Sequence, residues 1–258
     1  MRPYIHNAIR REVEYKAGFY TFILNQIVAV SIWVVFWRVI TRNIGDFGAA
    51  WDFPHLMVLS GFVGISNGLW FIFSYIWRVP AEILSGNLNS HLIKPVHPLA
   101  HLICKQLNLR AIPRIIMGII IVSFAVIHFD LKYTWISIIL AGVISFLSFI
   151  AVYLPLVILS ISAFWLGRAD FLRNLFVELF VFQNYPLTEF PNIFKYVFIV
   201  FLPLAFAGTY PALVLTKGYS TGEGAILIGI LMALITCQIL VFIILWSKGL
   251  RRYESYGG

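Results

Sequence analysis

RVPAEILSGNLNSHLIKPVHPLAHLICKQLNLRAIPR, residues 78–114, separates two segments that are each long and apolar enough to cross a bilayer. Connections between packed elements are usually only about 4–6 residues long. This one carries the cations Arg78, Lys94, Lys105, Arg110 and Arg114, and prolines at 80, 95, 98 and 113. Ile83, Leu84, Leu88, Leu92 and Ile93 supply an apolar face, with Glu82, His91 and Lys94 as rim charges. A chain that spends this much length between two spans is expected to touch a partner with it.

The rest of the composition fixes the solvent. Hydrophobic residues make up 60% and charged residues 12% of the 258, with a mean hydropathy of +0.88. Soluble domains carry about 25% charged residues. The reading is an all-α integral membrane protein of roughly six spans. The net charge of +8 is distributed by side. Arg2, Arg10, Arg11 and Lys16 precede the first span, the five cations above lie in the break, Arg168 and Arg173 follow the fourth span, and Lys248, Arg251 and Arg252 follow the last. The other side holds Arg42, Lys132, Lys195 and Lys217 against Asp46, Asp52, Asp130, Glu189 and Glu223. This bias places both termini and the 78–112 loop in the cytosol, in a multi-pass protein of the plasma (inner) membrane. Topology therefore accounts for the positive charge, and no nucleic-acid partner is called for. No cleavable signal peptide is read, since the first apolar run is a full span without a small-residue cleavage site. Cys104 and Cys237 fall in the loop and in the last span, which excludes a disulfide or metal framework.

Residues 1–17 read as a cytosolic interfacial helix, and 18–258 as one transmembrane domain. The spans are expected at about 18–40, 54–77, 113–129, 133–165, 169–185 and 224–247. The fourth is longer than a bilayer needs, so it tilts, kinks at Pro155 or extends into the cytosol. The fifth has two solutions. In the preferred one, 169–185 crosses and 187–215 is a broken, re-entrant pair of helices, marked by Pro186, Pro191, Pro203 and Pro211. In the other, 171–190 lies at the cytosolic interface and 192–215 crosses. Gly61, Gly64 and Gly68 in the second span offer close helix packing.

Catalytic chemistry is not legible. The cluster GYSTGEG at 218–224 lacks the GK[ST] ending of a phosphate-binding loop, and no HExxH, CxxC or GxSxG occurs. His97 and His101 stand four apart, but without a convincing third ligand, and no metal is expected. The chain is not read as an enzyme. Gln26, Asn67 and Glu178 are the substrate-path candidates: polar groups inside spans are costly and face a cavity or a neighbouring helix, although Glu178 costs little if 171–178 lies at the cytosolic interface.

Two motifs carry a resemblance. Gly86-Asn-Leu-Asn-Ser-His-Leu-Ile-Lys-Pro95 followed by His97-Pro98-Leu99 is similar to the G-x-L-x-x-x-L-x-K-P-x-x-P-L run of ABC-2 permeases, the membrane subunits of type-2 ABC exporters. Tyr185-Pro186-Leu-Thr-Glu-Phe190-Pro191, then Leu202-Pro203-Leu-Ala-Phe206 and Tyr210-Pro211-Ala212, resembles the proline-punctuated segment before their last span. The resemblance covers nearly the whole chain, and within the family it is closest to the six-span stand-alone subunits. It implies that the 78–112 loop is a coupling element seated on a separate ABC ATPase, with Glu82, Ile83, Leu84, Gly86, Leu88, Leu92, Lys94 and Pro95 as the contact set. It also implies a second permease subunit, identical or homologous, enclosing the pathway. ATP and Mg would sit on the ATPase, leaving no cofactor in this chain. The family's import scaffolds carry Ala-Arg-Gly on their coupling helices, which this chain lacks. Pro95 and Pro98 are expected to end the coupling helix, and Leu88→Asp or Leu92→Asp to block assembly without unfolding the spans. The competing readings are an ion-driven secondary transporter, which would rely on Glu178, and a non-transporting membrane scaffold.

Overall fold

The computed structural model describes residues 16–43, 45, 51–105, 107–167 and 170–253. All but the last two residues of the expected interfacial helix 1–17 lie outside them; Lys16 and Ala17 already belong to the first helix. Among the described residues there is no strand. Within the same residues five helical stretches are long and apolar enough to cross a bilayer, and a sixth candidate is a helix pair bent by 80°.

The bundle has two ends. The basic end gathers the 73–111 loop and Arg251 and Arg252. Helix α1 (Lys16–Asn43) runs from it to the opposite end, and α2 (Phe53–Ile72) returns. Asp52 starts α2, its carboxylate accepting from the His55 N–H at 3.1 Å, and Pro54 occupies the first turn, where its missing N–H costs nothing. The loop follows, built from three short helices: α3 (Val79–Leu84), α4 (Asn89–Leu92) and α5 (Pro98–Lys105). Helix α6 (Ile112–His128) runs away again and α7 (Trp135–Ile161) returns. Thr134 and Ser137 exchange side-chain and backbone hydrogen bonds in a capping box at the start of α7. Pro155 lies inside α7, which ends at Ser162 in a one-turn helix, α8 (Ala163–Leu166).

Helices α2 and α6 pack most closely. A Cβ on Gly61 would stand 2.8 Å from the Gly118 carbonyl oxygen, one on Gly118 2.6 Å from the Gly61 oxygen, and one on Gly68 would collide with Ile115. Gly64 sits 3.4 Å from the Gly118 Cα by the same measure. The glycines expected from sequence thus bring two backbones together, and Gly118 supplies the partner surface.

Residues 170–188 climb the side of α2. Helix α9 (Asp170–Leu179) and a 3-10 stretch (Phe180–Asn184) set Phe176 and Phe180 against Trp70, Val152 and Leu156. The Gln183 amide donates to Asn67 Oδ1 at 2.9 Å, and the Tyr185 ring meets Trp33 and Trp37, each 5.9 Å away. Thr188 Oγ1 accepts from Trp51 Nε1 at 3.0 Å, beyond the α2 N-terminus. The regular helix is therefore shorter than the 169–185 expected, yet the segment travels from the basic end to the opposite one.

The bent pair starts and finishes at that opposite end. Its first arm is α10 (Asn192–Tyr196), which widens into a π-turn at Val197–Phe201. Pro203 breaks it, having no N–H to continue the ladder. At the bend, the Ser66 hydroxyl donates to the Ala207 carbonyl at 2.9 Å, and Gly208 abuts Leu59 and Val63. Helix α11 (Thr209–Thr216) then rises until Leu215 meets Ser137 in the first turn of α7. Pro211 is tolerated near the start of α11, and Pro186 and Pro191 sit in extended backbone. Helix α12 (Thr221–Arg252) starts with a Ser220–Glu223 capping box and returns to the basic end.

Candidate functional site

Two places combine geometry with chemistry: the loop at the basic end and a cavity between α1, α2 and α6.

The loop is a small folded unit fused to the bundle. Ile83 is 4% exposed and Leu88, like Leu102, is fully buried. They pack with Ile76, Val79 and Leu99 against Val157 and Ile161 of α7, Phe164 of α8 and Trp246 of α12. Hydrogen bonds tie the base down. The Asn108 N–H donates to the Ile72 carbonyl at 2.9 Å, capping α2; the Tyr153 hydroxyl donates to the Phe73 carbonyl at 2.9 Å, and the Ser160 hydroxyl to the Ile76 carbonyl at 3.3 Å. Gly86 turns the chain between α3 and α4 with φ +76°, a conformation that favours glycine. The Leu88 N–H then donates back to the Glu82 carbonyl at 3.1 Å, and the Glu82 carboxylate accepts from the Tyr75 hydroxyl at 2.8 Å.

This arrangement corrects the expected apolar face. Ile83 and Leu88 point inward and form the loop's own core, while Leu84, Leu92, Ile93 and Val96 are exposed, Ile93 at 85%. Lys94 and Pro95 are exposed among them, and Lys94 Nζ lies 2.7 Å from His101 Nε2. Pro98 also differs from expectation, since it opens α5 rather than only ending the preceding turn. His97 packs on Phe242 and Trp246 and His101 on His91, so the two rings expected on one helix face meet different neighbours. Partial burial lowers the His97 pKa. Among the described residues no group of three His, Cys, Asp or Glu side chains could hold a metal.

The cavity has a volume of about 200 Å³ and includes Gln26 and Asn67 in its wall, as well as Ser60, Arg114 and Asn184. Arg114 Nε donates to Gln26 Oε1 at 2.8 Å. Its guanidinium lies over the rings of Phe71 and Phe22, 4.5 and 5.7 Å from their centroids. Asn67 Oδ1 accepts from both Trp70 Nε1 at 2.8 Å and Gln183 Nε2 at 2.9 Å. Glu178, the third path candidate, lies on the exposed side of α9 and does not line this cavity. In the linear chain Arg114 reads as one of the loop cations, because it directly follows Pro113; in the fold it lies in the first turn of α6. Only folding shows that this turn faces α1 and α2. Asn184 carried no sequence signal; it enters through the climb of 170–188.

A family model described as ABC-2 family transporter protein matches residues 27–257. The chain belongs to the ABC-2 transporter family. Searches of curated proteins and of solved structures return no match. As an ABC-2 permease, the protein is a multi-pass membrane component of an ABC transporter, and the family's role is transport rather than catalysis. Membership implies association with an ABC ATPase and with membrane lipid. The match covers the basic-end loop and the cavity residues other than Gln26.

Proposed function

We propose that this ABC-2 permease is the membrane subunit of an ATP-driven exporter, coupled to a separate ATPase through the tip of the 78–112 loop. ATP and Mg are bound by that ATPase, and a second permease subunit, identical or homologous, completes the pathway. The observation that carries the reading is the two-sidedness of the loop. Leu84, Leu92, Ile93 and Val96 offer an exposed apolar surface beside Lys94, and the same loop is packed through Ile83 and Leu88 onto α7 and α12. Exposed aliphatic clusters of this kind mark interaction surfaces. A rigid, packed element can pass a displacement at its tip to the helices beneath it.

The basic end is read as cytosolic, in the plasma (inner) membrane, with both chain termini on that side. Residues 170–188 then form the fifth crossing, and 192–216 a re-entrant pair entered from the outer surface. Contacts of Thr188 with Trp51 and of Leu215 with Ser137 at the same end of the bundle support this path. Pro203 leaves irregular backbone at depth, which a membrane protein tolerates when it is covered by protein, as Ser66 covers Ala207 and the bundle buries Leu204, Ala205 and Phe206. An ion-driven mechanism is disfavoured by the position of Glu178 away from the cavity.

The test is co-expression with the neighbouring genes, purification in detergent or nanodiscs, and an ATPase assay. An ATPase that co-purifies with the wild type and is lost from Ile93→Asp supports the proposal. A chain that purifies alone as a stable monomer, with no nucleotide-hydrolysing partner, would sink it.

A further inference from the structure

We propose that the cavity between α1, α2 and α6 binds the anionic headgroup of an amphiphile, with Arg114 reading the charge. This rests on the permease reading and names a substrate class for it. Among the described residues Arg114 forms no ion pair with a carboxylate. A guanidinium carries five N–H donors in a planar fork. Its Nε is satisfied by Gln26, and its two Nη groups meet no acceptor among the described residues. Asn67 points the same way. Its oxygen is taken by Trp70 and Gln183, which leaves its amide N–H groups for a ligand. The wall thus offers donors and a positive charge without a carboxylate to neutralise them.

A cation inside an apolar bundle is costly unless it is paired. Stacking between Phe71 and Phe22 holds the guanidinium in place but leaves the edge of its fork open. A fork of this shape matches the oxygens of a phosphate, sulfate or carboxylate. The rest of the cavity selects between a free anion and a lipid-like one. Gln26, Asn67 and Arg114 lie toward the basic end; beyond them Val30, Val34, Val63 and Ile121 line the wall, together with Ser60 and Asn184, which donate locally to the Leu56 and Val181 carbonyls. A charged head followed by a hydrocarbon chain satisfies both halves; a small hydrated anion satisfies only one. The basic end is also where anionic headgroups of the cytosolic leaflet would meet the protein.

The experiment uses the full chain in nanodiscs of zwitterionic lipid. Binding of dodecyl phosphate, dodecyltrimethylammonium and inorganic phosphate is measured by native mass spectrometry and calorimetric titration. The expected result is dodecyl phosphate binding at least about tenfold more tightly than its cationic counterpart, the equivalent of one charged hydrogen bond. Inorganic phosphate should not displace it. Arg114→Gln should remove that preference, and Arg114→Lys, which keeps the charge without the fork, should restore part of it. Equal affinity for both headgroups in the wild type overturns the proposal without any variant, as does an undiminished preference in a folded Arg114→Gln. Displacement by inorganic phosphate would mean that the anion comes from solution, overturning the amphiphile assignment. The assay needs no ATPase, so failure of the partner to co-purify would count against coupling and leave this result standing.

Discussion

Leu88 and Ile93 lie five residues apart on the same loop and face opposite ways: Leu88 is fully buried against the bundle, and Ile93 is 85% exposed. One builds the loop, and the other belongs to the docking surface proposed above.

That separation predicts different failures. Ile93→Asp should change stability by no more than about 0.5 kcal/mol, as exposed substitutions do. It should still abolish ATPase co-purification. Leu88→Ala should cost about 2–5 kcal/mol, and Leu88→Asp should prevent the loop from folding. Thermal unfolding in detergent, run beside the pull-down, separates the two. Normal pull-down by a folded Ile93→Asp would move the docking surface elsewhere.

The glycine contact between α2 and α6 predicts steric sensitivity. A side chain at Gly118 meets the Gly61 backbone at a separation no real Cβ tolerates. Gly118→Ala should therefore destabilise the bundle by about 1–3 kcal/mol, with Gly118→Leu worse. Gly142, whose Cβ would meet nothing within 4 Å, should accept alanine with little change in melting temperature.

Asn67 is expected to be more than a wall of the cavity. Asn67→Leu leaves the donors of Trp70 and Gln183 without their acceptor, at a cost of about 1–3 kcal/mol each where they are buried. Adding Gln183→Leu should recover part of the loss, because the second substitution removes one stranded donor. Strictly additive losses in a double-mutant cycle would show that the Asn67–Gln183 bond contributes nothing to stability.

The proposed topology is checked by labelling single cysteines from one side, in a background with Cys104 and Cys237 replaced. Cysteines at Thr188 and Lys217 should react with an impermeant thiol reagent added outside, and one at Lys94 should not. If Thr188 and Lys217 label from opposite sides, 192–216 is a true crossing and the re-entrant reading falls.

Much of this was readable in the linear chain. Long apolar runs with so few charges leave helices as the simplest way to satisfy the backbone in a bilayer. Pro54 and Pro113 open helices in the positions expected of them, and Gly61, Gly64 and Gly68 meet another helix. The loop motif and the proline-marked segment carried the family resemblance that the match over 27–257 supports. These properties are local: hydropathy, missing N–H groups and missing side chains act wherever the chain goes.

Other properties depended on what each residue meets. In sequence, Ile83, Leu84, Leu88, Leu92 and Ile93 form a single apolar set. Only packing on Val157, Ile161 and Trp246 divides them into an inner and an outer face. Arg114 reads as one more loop cation until α6 turns its first turn toward Gln26 and Phe71. Glu178 reads equally as a charge lining a path and as one at the cytosolic interface until α9 presents it outward. Amphipathic spacing establishes that a helix has two faces, but which face is buried is decided by the neighbours the fold brings to it.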